Sequence, residues 1–242
     1  MSLKSSTPGV EGNMRNTPFL VNHYYHVYNR GVDKRLIFLD EGDLWRFYAC
    51  LFLFNNSNYQ SPGGRTQSVI EDARKMAATQ SRDCLVKILS FCLLPNHFHL
   101  LLEPMIEGGL SQFMHRIAMG YAKYFNQKYE RTGTLYESKF KAVTMTREPQ
   151  FQHISRYIHL NVLDFFGLPW REGLVTNWDE ALLCLDEYRW SSHRVFMGKP
   201  QALPVVSEDL AAQMYNNAEQ YEGFLKGWST RDAELFRDVY KF

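Results

Sequence analysis

"CLLPNHFHLLLEP", residues 92–104, decides how the rest of the chain reads. A Pro-Asn pair interrupts a nearly unbroken apolar run, and Pro and Asn are turn formers. The stretch therefore predicts two strands, 84–95 and 97–104, joined by a tight turn at Pro95-Asn96. Side chains alternate faces along a strand, so His97 and His99 point one way while Phe98 and Leu100 point the other. Two imidazoles on one face suit a single metal ion or a single phosphate, since His is the commonest metal ligand. The spacing is equally consistent with two half-exposed histidines that each have an ordinary hydrogen-bond partner.

Upstream, "HYYHVYNRG" (23–31) is aromatic and β-branched and predicts a strand closed at Arg30-Gly31. "LDEGDLWRFYACLFLF" (39–54) predicts a helix with acidic residues at its start and an apolar face through Leu44, Phe47, Leu51 and Phe54. Residues 55–82 are polar, broken by Pro-Gly-Gly, and predict an exposed insertion with at most one short helix. Downstream, 108–133 predicts a long helix from near Ser111 to Gly133. Residues 134–145 end in a strand, and 148–163 predict a helix with Glu and Pro in its first turn. The order β-α-β-β-α-β-α predicts an α+β ferredoxin-like sandwich, a central antiparallel sheet with helices packed on one face. The expected organisation is a disordered leader at 1–20, the sandwich domain at 21–165 and a mainly helical C-terminal extension at 166–242.

The 242 residues suffice for one large domain with a real core. No stretch approaches the roughly 18 uncharged apolar residues of a membrane span, and the first residues lack the apolar core of a signal peptide. Cys50, Cys84, Cys92 and Cys184 are scattered without a CxxC, which fits reduced thiols and a cytoplasmic protein. The net charge of +1 conceals an uneven distribution. Residues 111–147 hold seven Lys/Arg against two Glu, a local +5, whereas 176–242 hold seven against eleven Asp/Glu, a local −4. A basic middle with an acidic tail points to a local anion-binding face.

The paired histidines need partners before they carry chemistry. His153, Tyr157 and Asn161 are spaced i, i+4, i+8 on the later helix and so share one face. Tyr157 reads either as an aromatic anchoring the helix or as a group beside a metal. Asn161 is harder to dismiss, because Asn is a poor helix former and gains nothing on a buried face without a partner. Its carbonyl oxygen with the two imidazoles would make an open site suited to Mg²⁺ or Mn²⁺.

These residues resemble the single-tyrosine HUH transposases, and within them the REP-associated tyrosine transposases. "PNHFHLLLEP" matches that superfamily's His-hydrophobic-His strand, and "YIHLN" (157–161) its YIxxN segment. "HVYNRG" with Ile37-Phe38, "YAKYFNQKYERTGTLYESKFKA" (121–142) and "YRWSSHR" (188–194) agree in the family's order, from about 22 to 198. The resemblance implies a metal-dependent endonuclease that cuts single-stranded DNA near hairpins or palindromic repeats through a 5′-phosphotyrosine. A second strand's 3′-hydroxyl then reverses the step. It assigns His97, His99 and Asn161 as ligands of a divalent ion, Mg²⁺ or Mn²⁺, and Tyr157 as nucleophile. It leaves monomer and homodimer both open and implies no membrane. One departure stands out: "NVLDFFG" follows where the family usually has "NPVRAG", so Asp164 replaces a basic residue and the helix-ending Pro is missing.

Arg30, Lys34, Arg35, Lys123, Lys128, Arg131, Lys139 and Lys141 are the candidate phosphate contacts. Tyr124, Tyr129 and Tyr136 lie among them, as base stacking would require. His115 and His153 read as structural or peripheral. The rival reading is a domesticated hairpin-binding protein that keeps the fold without strand transfer; the presence of all four site residues argues against simple loss of the chemistry.

Overall fold

The computed structural model describes residues 18–59, 66–79, 82–145, 148–206 and 215–228. Nearly all of the expected leader thus lies outside the described residues, as do 60–65 and 80–81 of the insertion. Strands β1 (Tyr24–Arg30), β2 (Val86–Leu94), β3 (His97–Pro104) and β4 (Lys141–Met145) form one antiparallel sheet in the order β2-β3-β1-β4. Helices α1 (Glu41–Leu53) and α3 (Gly109–Lys128) complete the ferredoxin-like connection. Strands and turn lie where the sequence puts them, and Pro95-Asn96 is the two-residue turn between β2 and β3. That turn is also a hook. Asn96 O accepts from Gly31 N at 2.9 Å, and Pro95 O accepts from Ile37 N at 2.8 Å. Gly31 is required by close approach, because a Cβ there would stand 2.3 Å from the Arg35 carbonyl oxygen.

Helix α1 begins where its residues satisfy the first free N–H groups. Asp40 caps α1, accepting from Asp43 N at 2.9 Å, and the Asp43 carboxylate reaches back to Asp40 N. Phe47 of α1 packs on Phe98 of β3 with ring centroids 5.0 Å apart, and Tyr121 of α3 donates to Ile37 O at 2.6 Å. One face of the sheet is therefore the main core. β3 reads as an unbroken apolar run because its other face is covered too.

That second cover departs from the expected one-sided packing. Helix α4 (Glu148–Leu160) lies across the opposite face, with Tyr157 over His99, and short α5 (Val162–Phe165) follows it. Helices α6 (Trp178–Glu187), α7 (His193–Phe196) and α8 (Ala218–Lys226) extend this layer. The segment before α7 seals the outer edge of the sheet. Leu93 N donates to Trp190 O, Ser192 N to Phe91 O, and Tyr188 Oη to Leu93 O. The insertion is also less exposed than its polar composition predicts. Within it α2 (Thr66–Thr79) runs 14 residues, and it buries Val69 and Ala73 in the core, packing on α1. Ile70, Met76 and Ala77 pack beside them, a short apolar stripe that the surrounding polar residues mask.

Candidate active site

The site is built from β1, β3 and α4. The sheet register places Tyr28 of β1 opposite His99 and Arg30 opposite His97, so the histidine face also presents His26, Tyr28 and Arg30. The His97 and His99 rings are perpendicular, with centroids 5.0 Å apart. Each has one nitrogen already engaged. His99 Nδ1 is 2.9 Å from His26 Nε2, and His97 Nδ1 is 2.6 Å from Asn96 Oδ1. Both rings would then meet a metal ion through Nε2, oriented by a neighbour behind them. Burial, then the charges of Arg30 and Arg171, push the His97 pKa down to about 3. Burial leads for His99 as well, followed by the charges of His97, His26 and Arg171, and its pKa falls well below the usual range. Both imidazoles are neutral at neutral pH, the form that ligates metals.

Tyr157 reaches this pair from the far side. Its ring stands perpendicular to His99 at 5.9 Å between centroids and to His26 at 6.2 Å, and it is 3 % exposed. Trp170 backs it at 5.5 Å. Burial raises the phenol's pKa, and the charge of Arg171 with hydrogen bonds from Arg171 and Asn161 works against that rise. The structure places Tyr157, which the sequence grouped with the histidines, against His99. The sequence could not supply Arg171, whose Nη1 donates to the Tyr157 oxygen at 3.3 Å. The one available hint was the acidic residue at 164 where the family pattern is basic; the Asp164 carboxylate holds Arg171 in an ion pair.

Asn161 is fully buried, and α4 passes into α5 at this residue with helical dihedrals despite the missing Pro. Its partners are Tyr157 O, which accepts from Nδ2 at 2.6 Å, and Arg171 Nη2, which donates to Oδ1 at 2.9 Å. The oxygen expected to complete a metal site is thus engaged by a guanidinium. Among the described residues no group of three or more His, Cys, Asp or Glu is placed to hold a metal ion. The residues that fit a divalent ion are His97 and His99. His153, on the same helix face, is instead tied to Arg156 Nη2 at 2.6 Å.

The candidate DNA contacts divide. Lys141 sits on the histidine face, its Nζ 5.7 Å from the Tyr28 ring, which is itself 6.0 Å from His99. Arg30 is on the same face beside His97. Lys34, Arg35, Lys123 and Lys139 are exposed. Burial, then the charge of nearby Arg35, lowers the pKa of Arg131, whose Nη1 donates to Asn126 Oδ1. Lys128 is committed internally, paired with Asp40 at 2.7 Å and with buried Asp43 at 2.8 Å. Tyr124 and Tyr136 are buried, and Tyr124 and Tyr129 donate to Asp43.

Residues 58–161 match the family model described as "Transposase IS200 like". The match takes in both histidines, Tyr157 and Asn161. No curated protein matches the sequence. A solved structure titled "Structure of the REP associates tyrosine transposase bound to a REP hairpin" aligns with 86 % of this chain and 94 % of its own, at 14 % identity and a TM-score of 0.40. No helix among the described residues is long and apolar enough to cross a membrane.

Proposed function

We propose that the protein is a tyrosine nuclease and strand transferase that acts on single-stranded DNA beside a hairpin. The observation that carries the reading is the meeting of Tyr157, from α4, with His99, from β3, across the sheet face. In the proposed step the phenol oxygen bonds to phosphorus and the P–O3′ bond breaks. The phenol's proton is lost to solvent, and the departing 3′-oxygen leaves as a hydroxyl. The phosphodiester energy is kept in the tyrosine link, so rejoining by another 3′-hydroxyl needs no ATP. Phenol, with a pKa of about 10, is both a usable nucleophile and a tolerable leaving group, which suits reversibility.

His97 and His99 are the proposed holders of a divalent ion, Mg²⁺ or Mn²⁺, with Asn161 as third ligand once Arg171 yields its oxygen. Such an ion, when bound, supplies Lewis-acid stabilisation of the attacked phosphate. The chain's own contribution is orientation. His26 and Asn96 set the imidazole tautomers, and Trp170 with the sheet face fixes the phenol ring. Arg30 and Lys141, beside the histidines, are the first proposed DNA-backbone contacts.

The test is incubation with labelled single-stranded DNA carrying flanking palindromes and Mn²⁺. A denaturant-resistant adduct whose peptide maps to Tyr157 is the expected result. Hairpin binding with no adduct would favour the domesticated DNA-binding reading, and a nucleotide on any other tyrosine would overturn the nucleophile assignment.

A further inference from the structure

Arg171 lies outside the matched segment, in the stretch that leads into the C-terminal layer. Its side chain is 39 % exposed, yet it reaches two groups that are almost wholly buried, the Tyr157 hydroxyl and Asn161 Oδ1. Its plane is fixed on two sides. Nε donates to both Asp164 oxygens, at 3.2 and 3.1 Å, and Nη2 joins the same carboxylate. Below, the guanidinium carbon sits 4.8 Å from the centre of the Trp170 ring. Trp170 Nε1 in turn donates to Asp164 Oδ1 at 2.7 Å, so the carboxylate that aims the arginine is itself held.

A half-exposed Arg–Asp pair contributes little to stability, about 0–1 kcal/mol. Stability does not explain why the free end of this fork is turned onto a buried phenol. We propose that Arg171 is a catalytic residue, its Nη1 gripping a non-bridging oxygen of the phosphate that Tyr157 attacks. This rests on the strand-cutting reading above. A phenol oxygen poised for attack stands roughly 3–3.5 Å from phosphorus. A donor 3.3 Å from that same oxygen is then within reach of the phosphate's non-bridging oxygens. Those oxygens gather charge as the fifth bond forms, and a pre-aimed donor in a site shielded from water stabilises that charge without reorganising. A planar guanidinium is suited to this, because it can keep the Asp164 contact on one edge and take phosphate on the other.

The experiment uses the full chain, a labelled hairpin oligonucleotide with a single-stranded flank, and Mn²⁺, followed in single turnover. Arg171→Ala is expected to slow cleavage about a hundredfold, with hairpin affinity within about twofold of the parent; buried Asn161 Oδ1 loses its donor, so the melting temperature falls and rates are read well below it. Arg171→Lys should recover only a small part, since a compact ammonium lacks the planar fork whose two edges hold Asp164 and phosphate at a fixed spacing. The deciding measurement replaces the scissile phosphate by a methylphosphonate, which lacks the charge that Arg171 would grip. In the parent this substitution should slow cleavage strongly; in Arg171→Ala it should slow it far less, so the two effects do not multiply. Effects that multiply, or a parent-like rate in Arg171→Ala, overturn the proposal. So does a faster rate in Asp164→Asn, which would make the ion pair a brake. The parent and Tyr157→Phe separate the two readings: no adduct in the parent sinks the strand-cutting assignment, and an adduct that survives in Tyr157→Phe sinks Tyr157 as the nucleophile, whatever Arg171 does.

Discussion

Two groups of imidazoles lie within this fold, and they do opposite things with the same side chain. His26, His97 and His99 share the sheet face beneath Tyr157 and Arg171. His159 and His193 lie between α4 and the C-terminal layer. There His159 Nε2 meets Ser192 Oγ at 2.7 Å, Tyr221 Oη bridges both rings at 2.9 and 2.8 Å, and Asp186 stands 3.5 Å from His193. In the second group both His159 nitrogens and His193 Nδ1 are matched by hydroxyls, the Asp186 carboxylate lies beside His193 Nε2, and both residues are almost fully buried. The first group borders two guanidiniums, a lysine and a phenol. Chemistry is expected where the neighbours are charged and reachable, and rigidity where the hydrogen-bond chain closes on itself.

The largest effect that would break this contrast is on Tyr157. Tyr157→Phe keeps the ring packed on Trp170 and removes only the oxygen, so covalent adduct and cleavage should fall below detection while hairpin affinity holds. Residual adduct at the parental rate would end the distinction. Next, His97→Ala and His99→Ala should each lower single-turnover cleavage by about a hundredfold or more, the scale of losing a group that stabilises transition-state charge. His159→Ala should instead leave the folded fraction's cleavage rate nearly intact. Its cost is stability, about 3 kcal/mol from a buried cavity and from Ser192 and Tyr221 losing a partner. At this chain length that is a drop of roughly 6–12 °C in Tm. Calorimetry on one variant beside kinetics on the others sharpens the comparison.

A smaller effect is expected from acid. Burial, the first cause, lowers the pKa of His159 and His193 in the folded chain, with the charge of His193 acting further on His159, while Asp186 pulls His193 partly back up. An unfolded His takes its proton near pH 6.5. Below that the unfolded state binds more protons, so stability is full above about 6.5 and declines as pH falls. Asp186, whose pKa is lowered by its hydrogen bond to His193, contributes in the same direction further down. The urea midpoint should drop between pH 7.5 and 5.5, and drop less in His159→Ala. Equal drops would show that the closed chain is not where the protons go. Smallest of all, Lys128→Ala should change hairpin affinity by less than about twofold, because its charge is already spent on Asp40 and Asp43. Lys141→Ala, beside the histidines, should weaken it more; the reverse order would relocate the DNA face to α3.

Much of the fold was legible because its signals are local. Alternation across 97–104, the Pro95-Asn96 turn and the acidic start of α1 each fix an element without reference to the rest of the chain. The pairing of Tyr157 with His99 was legible through the motif spacing. His26 was not, although it lies in a quoted block. Its role depends on sheet register, which a strand's own sequence does not carry. Arg171 was invisible for a related reason, since its partners Tyr157, Asn161 and Asp164 are 14, 10 and 7 residues away across a chain reversal. The insertion misled because composition averages over α2, while packing uses one apolar stripe, Val69, Ile70, Ala73, Met76 and Ala77. Asn161 drew notice as an amide that gains nothing on a buried face without a partner; it is buried, and its partners Tyr157 O and Arg171 could not be named from the helix alone.

The strip from Tyr188 to Ser192 bears on solubility as much as on shape. Without it β2 would present a long, almost wholly apolar rim with open backbone donors and acceptors, the kind of edge along which chains zip together into aggregates. By lending Trp190 O to Leu93 N and Ser192 N to Phe91 O, the C-terminal layer acts as a guard rail for the sheet. A truncation ending after α5 would keep the sheet's histidines and Tyr157, though not Trp170 or Arg171, and would bare that rim to its neighbours. Such a fragment should sediment as multimers before its catalysis could be assayed.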